Sequence, residues 1–206
     1  MMRLLVMDLN GTITQEHSGI VLAEAAGKKK EAEKIVNMRS SGELKLGEQG
    51  SSTTKLLKGM SMKRAKETVE KIEPDPEIKE LVEKLKEKGI ECIIVTTGHS
   101  IAARALARKL GIKKTYANKL TAKNGVLTGE YKKEIVTPED KLRIVERIRK
   151  EKGLEKKEIA VIGDSQSDLG LFKEYKGFAY HEKKVLKGKG IVIVNPLEIL
   201  EHLNDK

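Results

Sequence analysis

The stretch RLLVMDLNGT, residues 3–12, decides the architecture. Leu4 to Met7 is a short apolar run that stops at Asp8, with Asn10, Gly11 and Thr12 behind it. An apolar run bounded by turn-forming residues reads as a buried strand. Two further runs share that form. Ile90 to Val95 leads into TTGHS, and Ile159 to Ile162 leads into GDSQSD. Phe178 to Tyr180 and Ile191 to Val194 are further candidate strands, and Asn124-Gly125 between β-prone runs predicts a hairpin. Helical spacing fills the intervals. Glu73-Pro74-Asp75-Pro76 starts a helix with Leu81, Val82 and Leu85 in register, which Gly89 ends. Ala102, Leu106 and Leu110 mark a second helix, and Leu142, Val145 and Ile148 a third, opened by Thr137 as its N-cap. A last helix is expected over Pro196 to Leu203. Short apolar strands alternating with helices predict an α/β fold, a parallel sheet with helices on both faces. The segment from Glu16 to Ile72 is different. It reads as a small helical insertion after the first strand, interrupted by SSGELKLGEQGSS and by Gly59.

The chain has 206 residues, 41 lysines and arginines against 31 aspartates and glutamates, and hence a formal charge of +10. That length suits one domain, or a core with a modest insertion. So basic a chain invites a nucleic-acid partner. However, both signs are interspersed in segments such as EKLKEKGIE and KKKEAEK, and aromatic residues are only 3% of the chain. With so few stacking platforms, nucleic acid is disfavoured as the main partner and a solvated charged surface is the expectation. No apolar run approaches the roughly 20 residues of a membrane helix, and the N-terminus does not read as a signal peptide. Cys92 is the single cysteine, so no internal disulfide forms and a reducing, cytoplasmic setting is expected. Monomer and homodimer both stay open.

In folds of this class, ligands bind beyond the carboxyl ends of the strands. Three such ends deliver Asp8, Asn10, Gly11 and Thr12, then Thr96, Thr97, Gly98 and His99, then Gly163, Asp164, Ser165, Ser167 and Asp168. DLNGT, VTTG, the lysine of PEDK and IGDSQSD, in that order, resemble the four motifs of the haloacid dehalogenase superfamily of phosphotransferases. The order of elements is most similar to its phosphoserine phosphatase branch, which carries a small helical cap after the first motif. The resemblance implies a Rossmann-like core of residues 1–15 and 73–206 and a cap of residues 16–72. It implies a phosphoric monoester hydrolase acting on a small phosphorylated metabolite, with Mg2+ as cofactor. Asp8 is then the nucleophile that carries a covalent phosphoryl group, which splits the transfer into two steps. Mg2+ is assigned to the carboxylates of Asp8 and Asp164 and the backbone carbonyl of Asn10. Asp168 acts on the metal through water or holds the lysine. The Thr96 hydroxyl, the backbone N–H groups of Thr97 and Gly98, and Gly11 and Ser167 meet the phosphate or substrate. Lys141 supplies positive charge to the phosphoryl oxygens, where stabilising charge is most of catalysis.

Two departures shape the expected activity. Most phosphatases of the superfamily carry an aspartate two residues after the nucleophile, as acid and base for the leaving oxygen and the attacking water. Here that residue is Asn10, and an amide does not exchange protons near neutral pH. A slow hydrolase, a preference for good leaving groups, and substitution by Glu16, His17 or His99 all stay open. So do a phosphotransferase on activated phosphates, an engineered Asn10 that traps a complex, and a regulatory protein that binds phosphometabolites without turnover. The second departure is in the cap. The glutamate and arginine that grip phosphoserine in that branch fall, by spacing, near His17 (with Glu16 adjacent) and near Ser51, with Arg39 and Lys55 the nearest alternatives. A hydroxyl does not replace a bidentate arginine–carboxylate pair, so poor activity on phosphoserine is expected.

Overall fold

A computed structural model describes residues 1–181, 186 and 188–204. Strand β1 (Leu4–Met7) is buried along its whole length and lies at the centre of a seven-stranded sheet. Its neighbours are β2 (Glu91–His99) and β5 (Ile159–Gly163), both parallel to it, with Leu4 opposite Glu91 and Ile159. Outward on one side come β3 (Lys114–Lys123) and β4 (Val126–Lys132), and on the other β6 (Lys176–Tyr180) and β7 (Ile191–Ile193). Among the described strand pairs only β3–β4 is antiparallel, and its turn is Asn124-Gly125.

Alternation along the central strands fills two cores. Leu5, Met7, Cys92, Ile94, Ala160 and Ile162 enter one, while Leu4, Val6, Ile93, Val95, Ile159 and Val161 enter the other. Burial on both faces is what a parallel sheet needs. Each of the larger aliphatic side chains contributes on the order of 2 kcal/mol by leaving water. The first face is covered by α5 (Pro76–Glu87), through Ile78, Leu81 and Leu85, and α6 (Ser100–Leu110), through Ala102 and Leu106. The second is covered by α7 (Pro138–Lys152), through Val145 and Ile148, with Leu171 and Phe172 of the short helix α8 (Leu169–Phe172). Asp75 caps α5 by accepting from the Glu77 N–H at 3.0 Å, and Pro76 opens it.

Between β1 and α5 lie four helices: α1 (Ser18–Ala25), α2 (Lys29–Ser40), α3 (Leu46–Lys55) and α4 (Met62–Val69). Their apolar residues Leu22, Ala23, Ala32, Ala65 and Val69 join the core on the first face of the sheet. The α3 helix contacts β4, and α4 contacts α6. Part of SSGELKLGEQGSS, expected as a break, is therefore helical. The Glu48 carboxylate starts α3 by accepting from the Lys45 N–H at 2.8 Å, a local capping signal that outweighs the glycines. Two ends also differ from expectation. Strand β2 continues past Val95 to His99 through an irregular register with β3, because Asn118 pairs opposite His99. The C-terminal segment Pro196–His202 is a 3-10 helix, capped by Asn195, whose side chain accepts from the Leu197 N–H. Among the described residues no helix is long and apolar enough to cross a membrane.

Candidate active site

The carboxyl ends of β1, β2 and β5 meet at one edge of the sheet. Asp8 is the first residue past β1, and its N–H donates to the Ile162 carbonyl at 3.1 Å, extending the ladder by one bond. That bond fixes the backbone from which the carboxylate projects. Asp164 is the first residue past β5, and Asp168 lies one turn further, in the 3-10 turn Gln166–Asp168. Asp168 Oδ2 accepts from the Ser165 N–H at 3.2 Å and from the Ser165 hydroxyl at 3.2 Å, so the loop holds its own acid in place.

Lys141 reaches this edge from the first turn of α7. The turn is rigid because Thr137 Oγ1 accepts from the Asp140 N–H while the Asp140 carboxylate accepts from the Thr137 and Val136 N–H groups. From there Lys141 Nζ donates to Asp8 Oδ1 at 2.6 Å and to Asp168 Oδ1 at 2.7 Å. The lysine is fully buried. Burial alone pulls an ammonium pKa down, but Asp168 and Asp8 outweigh it and hold Lys141 well above its ordinary value. Burial, together with the neighbouring Asp8 and Asp164 charges, pushes the Asp168 carboxyl up to about 6 despite Lys141.

Ligating oxygens of Asp8, Asp164 and Asp168 all lie within 4.8 Å of one another. Three buried carboxylates against one ammonium leave a formal charge of 1 − 3 = −2. Carboxylate oxygens are hard donors, and an excess of this size suits a divalent cation. Backbone geometry is built around the cluster. Gly11 has φ +79°, and a Cβ there would stand 2.3 Å from Asp164 Oδ2. A Cβ on Gly163 would stand 2.4 Å from Asp168 Cγ, so that carboxylate packs directly on the strand end. Thr12 Oγ1 donates to Asp164 Oδ1 at 3.4 Å.

Beside the carboxylates is a cavity of about 50 Å3 between the sheet edge, α1, α3 and β4. Asn10, His17, Gln49, Thr97, His99 and Tyr131 supply polar walls, Gly98 lies among them, and among the described residues no Asp, Glu, Lys or Arg contributes to the lining. Asn10 Oδ1 accepts from the Ser18 N–H at 2.9 Å, which ties the first motif to the start of α1. Thr96 is buried, and its Oγ1 accepts from the Gly98 N–H at 3.0 Å.

The structure thus gathers Asp8, Lys141, Asp164 and Asp168 in one cluster and places Asn10, Thr97 and Gly98 on the adjoining cavity. Ser167 is turned inward, its hydroxyl 2.8 Å from that of Ser165, and it does not line the cavity. Of the side chains considered for proton transfer, His17 and His99 line the cavity while Glu16 is exposed outside it. Arg39 is half-buried on α2 and Lys55 exposed on α3, and neither lines the cavity.

One supporting residue has no counterpart in the sequence reading. Asn118 is buried in β3, and its amide uses all four bonding positions. Nδ2 donates to the carbonyls of Thr97 at 2.8 Å and Ile135 at 2.7 Å; Oδ1 accepts from the N–H groups of Glu134 at 2.8 Å and Ile135 at 2.9 Å. It joins the β2 end to the loop that leads into Lys141. An asparagine inside a β-prone run, away from any turn, was the available signal. Asn118→Ala leaves several of these backbone groups unpaired, and is expected to lower unfolding stability by about 2–4 kcal/mol. A denaturant titration that shows under about 1 kcal/mol of loss would count against the brace.

The model of the haloacid dehalogenase-like hydrolases matches residues 5–173, which takes in every carboxylate of the cluster. The chain belongs to that family. It is a phosphatase of the haloacid dehalogenase type, and its similarity runs to phosphoserine phosphatases. That of Methanocaldococcus jannaschii is 27% identical over 202 residues, covering 98% of this chain and 96% of the relative. That of Streptococcus thermophilus is 30% identical over 185 residues, covering 89% and 86%. Among solved structures, a phospho-aspartyl intermediate analogue of phosphoserine phosphatase superposes with a TM-score of 0.90 at 28% identity, covering 98% of this chain and 99% of the other. A substrate-bound phosphoserine phosphatase complex gives 0.91 at 27% identity with the same coverage.

Proposed function

We propose that the chain is a Mg2+-dependent phosphatase that forms an aspartyl phosphate on Asp8 and acts on a small phosphorylated metabolite other than phosphoserine. The observation that carries the reading is the buried Asp8–Lys141–Asp168 cluster with Asp164, set beside a polar cavity. In the first step a carboxylate oxygen of Asp8 attacks phosphorus and the bond from phosphorus to the leaving oxygen breaks. In the second, water attacks phosphorus, inorganic phosphate departs and the Asp8 carboxylate is restored. Lys141 orients the Asp8 carboxylate and offsets negative charge as it builds on the phosphoryl oxygens. Asp8, Asp164 and the Asn10 carbonyl, with Asp168 behind them, would hold Mg2+, which would supply charge that lets two anions approach. Thr96, Thr97, Gly98, Gly11 and Ser167 are the proposed phosphate-binding set. Residues 16–72 act as a cap over the cavity, with 1–15 and 73–206 as the catalytic core. The single cysteine, Cys92, is buried, and burial pushes its thiol up to about 12, in keeping with a structural thiol in the cytoplasm.

The relatives carry the name phosphoserine phosphatase, yet among the described residues the cavity here has no carboxylate for an ammonium and no arginine or lysine for a carboxylate. Burying either charge unpaired is costly. Asn10 adds a second constraint, because without a proton donor at that position good leaving groups are favoured. With Mg2+ the protein is expected to release para-nitrophenol from its phosphate ester, and EDTA is expected to abolish that release. Between two alkyl esters, kcat/KM for phosphoserine is expected to fall at least about tenfold below that for glycerol phosphate. A preference for phosphoserine overturns the substrate reading; metal-independent turnover overturns the mechanism.

A further inference from the structure

His99 is the last residue of β2, forms part of the cavity wall and is 5% exposed. Its tautomer follows from its neighbour. Thr54 Oγ1 has one proton and donates it to the Gly50 carbonyl at 2.7 Å, a shorter contact than its 3.3 Å approach to His99 Nε2. Toward the imidazole the hydroxyl therefore accepts, so Nε2 carries the ring proton and Nδ1 holds a lone pair. Burial, and to a lesser degree the nearby His17, pushes the His99 pKa down to about 4, which keeps the ring neutral. Tyr131 packs edge-on against it, 6.0 Å between centroids at 68°, and fixes the plane. Yet Nδ1, fully buried, has no hydrogen-bond partner among the described residues. An unpaired buried acceptor costs about 1–3 kcal/mol, so a native structure that keeps one calls for an explanation.

We propose that His99 Nδ1 determines specificity by accepting a hydrogen bond from a hydroxyl on the leaving group, so that the substrates are phosphate monoesters of polyhydroxylated alcohols. This rests on the phosphatase reading of the same cavity. The donor is a hydroxyl rather than an ammonium because no carboxylate among the described residues lines the wall to balance a desolvated cation. A hydroxyl is matched by the neutral imidazole and by Gln49 and Thr97, which line the same cavity. Recognition of this kind is sharp, because the analogue without the hydroxyl leaves the acceptor unpaired.

Inhibition of para-nitrophenyl phosphate turnover tests the proposal without requiring the competing ester to turn over. Glycerol phosphate is expected to bind about 10–100-fold more tightly than propyl phosphate, and phosphoethanolamine no more tightly than propyl phosphate. In His99→Gln the amide nitrogen retains the bond to Thr54 while the Nδ1 acceptor is lost, and the ratio is expected to collapse toward one. In His99→Asn a carbonyl oxygen stands near the Nδ1 position, and the ratio is expected to persist. Equal inhibition by glycerol and propyl phosphates in the wild type overturns the inference, as does tighter binding of phosphoethanolamine or an undiminished ratio in His99→Gln. Where His99→Gln does not fold, the wild-type ratio decides. Loss of the ratio with aryl phosphate turnover intact sinks only this inference, whereas absent aryl phosphate turnover sinks the phosphatase reading with it.

Discussion

Asn10→Asp is expected to raise kcat on an alkyl phosphate such as glycerol phosphate about 10²–10⁴-fold, the usual worth of a positioned acid and base. The site is already shaped for the exchange. Asn10 Oδ1 is held at 2.9 Å by the Ser18 N–H, so one atom of the side chain is committed to the start of α1. The other atom, Nδ2, faces the β2 end: a Cβ on Gly98 would stand 3.2 Å from it, and Gly98 and Asn10 line the same cavity. Aspartate has the same shape. One oxygen keeps the Ser18 bond, and the other replaces Nδ2 on the cavity side, where it can give a proton to the leaving oxygen and later take one from water. An alkoxide leaves poorly without that proton and a phenolate leaves well. The gain on glycerol phosphate is therefore expected to exceed the gain on para-nitrophenyl phosphate by about tenfold or more. Parallel measurement of kcat on the two esters checks this, and equal gains, or none, would show that position 10 does no proton transfer.

Much of this site was legible because its parts are local. Asp8, Thr96 and Asp164 follow apolar runs, and a run that is buried in a parallel sheet can place its next residues only at the carboxyl edge. TPED announces a helix start by its capping pattern, which puts Lys141 in the first turn. What the sequence hid depends on distances across the fold. The irregular β2 end is set by Asn118 on the neighbouring strand, and no pattern within VTTGHS reveals it. The helix α3 begins where Glu48 caps Lys45, inside a stretch whose glycines and serines read as a break. Nothing in the spacing of His99, Thr54 and Tyr131 shows that Thr54 and Tyr131 both pack on His99, since α3, β2 and β4 come together only through the packing of the helical insertion on the sheet edge. Net charge says nothing of the site. The +10 of the whole chain coexists with a site whose formal charge is −2.

That local excess makes the two central residues respond in opposite ways. Lys141→Met removes the one cation that Asp8 and Asp168 share at 2.6 and 2.7 Å, and leaves both carboxylates buried without it. Breaking a buried pair from one side costs about 3–5 kcal/mol, so a large fall in unfolding stability is expected, together with loss of turnover. Asp8→Asn removes one of three crowded carboxylates instead. Lys141 keeps Asp168, the amide oxygen still accepts from Nζ, and repulsion on Asp168 falls. Stability without metal is therefore expected to hold or to rise by about 1 kcal/mol, while turnover is lost, because an amide does not form the aspartyl phosphate. A divalent cation binds the folded state through the same oxygens, so saturating Mg2+ is expected to recover part of the Lys141→Met loss and to stabilise the wild type more than Asp8→Asn. Denaturant titrations of the three proteins, each with Mg2+ and with EDTA, separate the effects. The charge balance of the cluster fails if Asp8→Asn proves as destabilising as Lys141→Met, or if Mg2+ stabilises Asp8→Asn and the wild type equally.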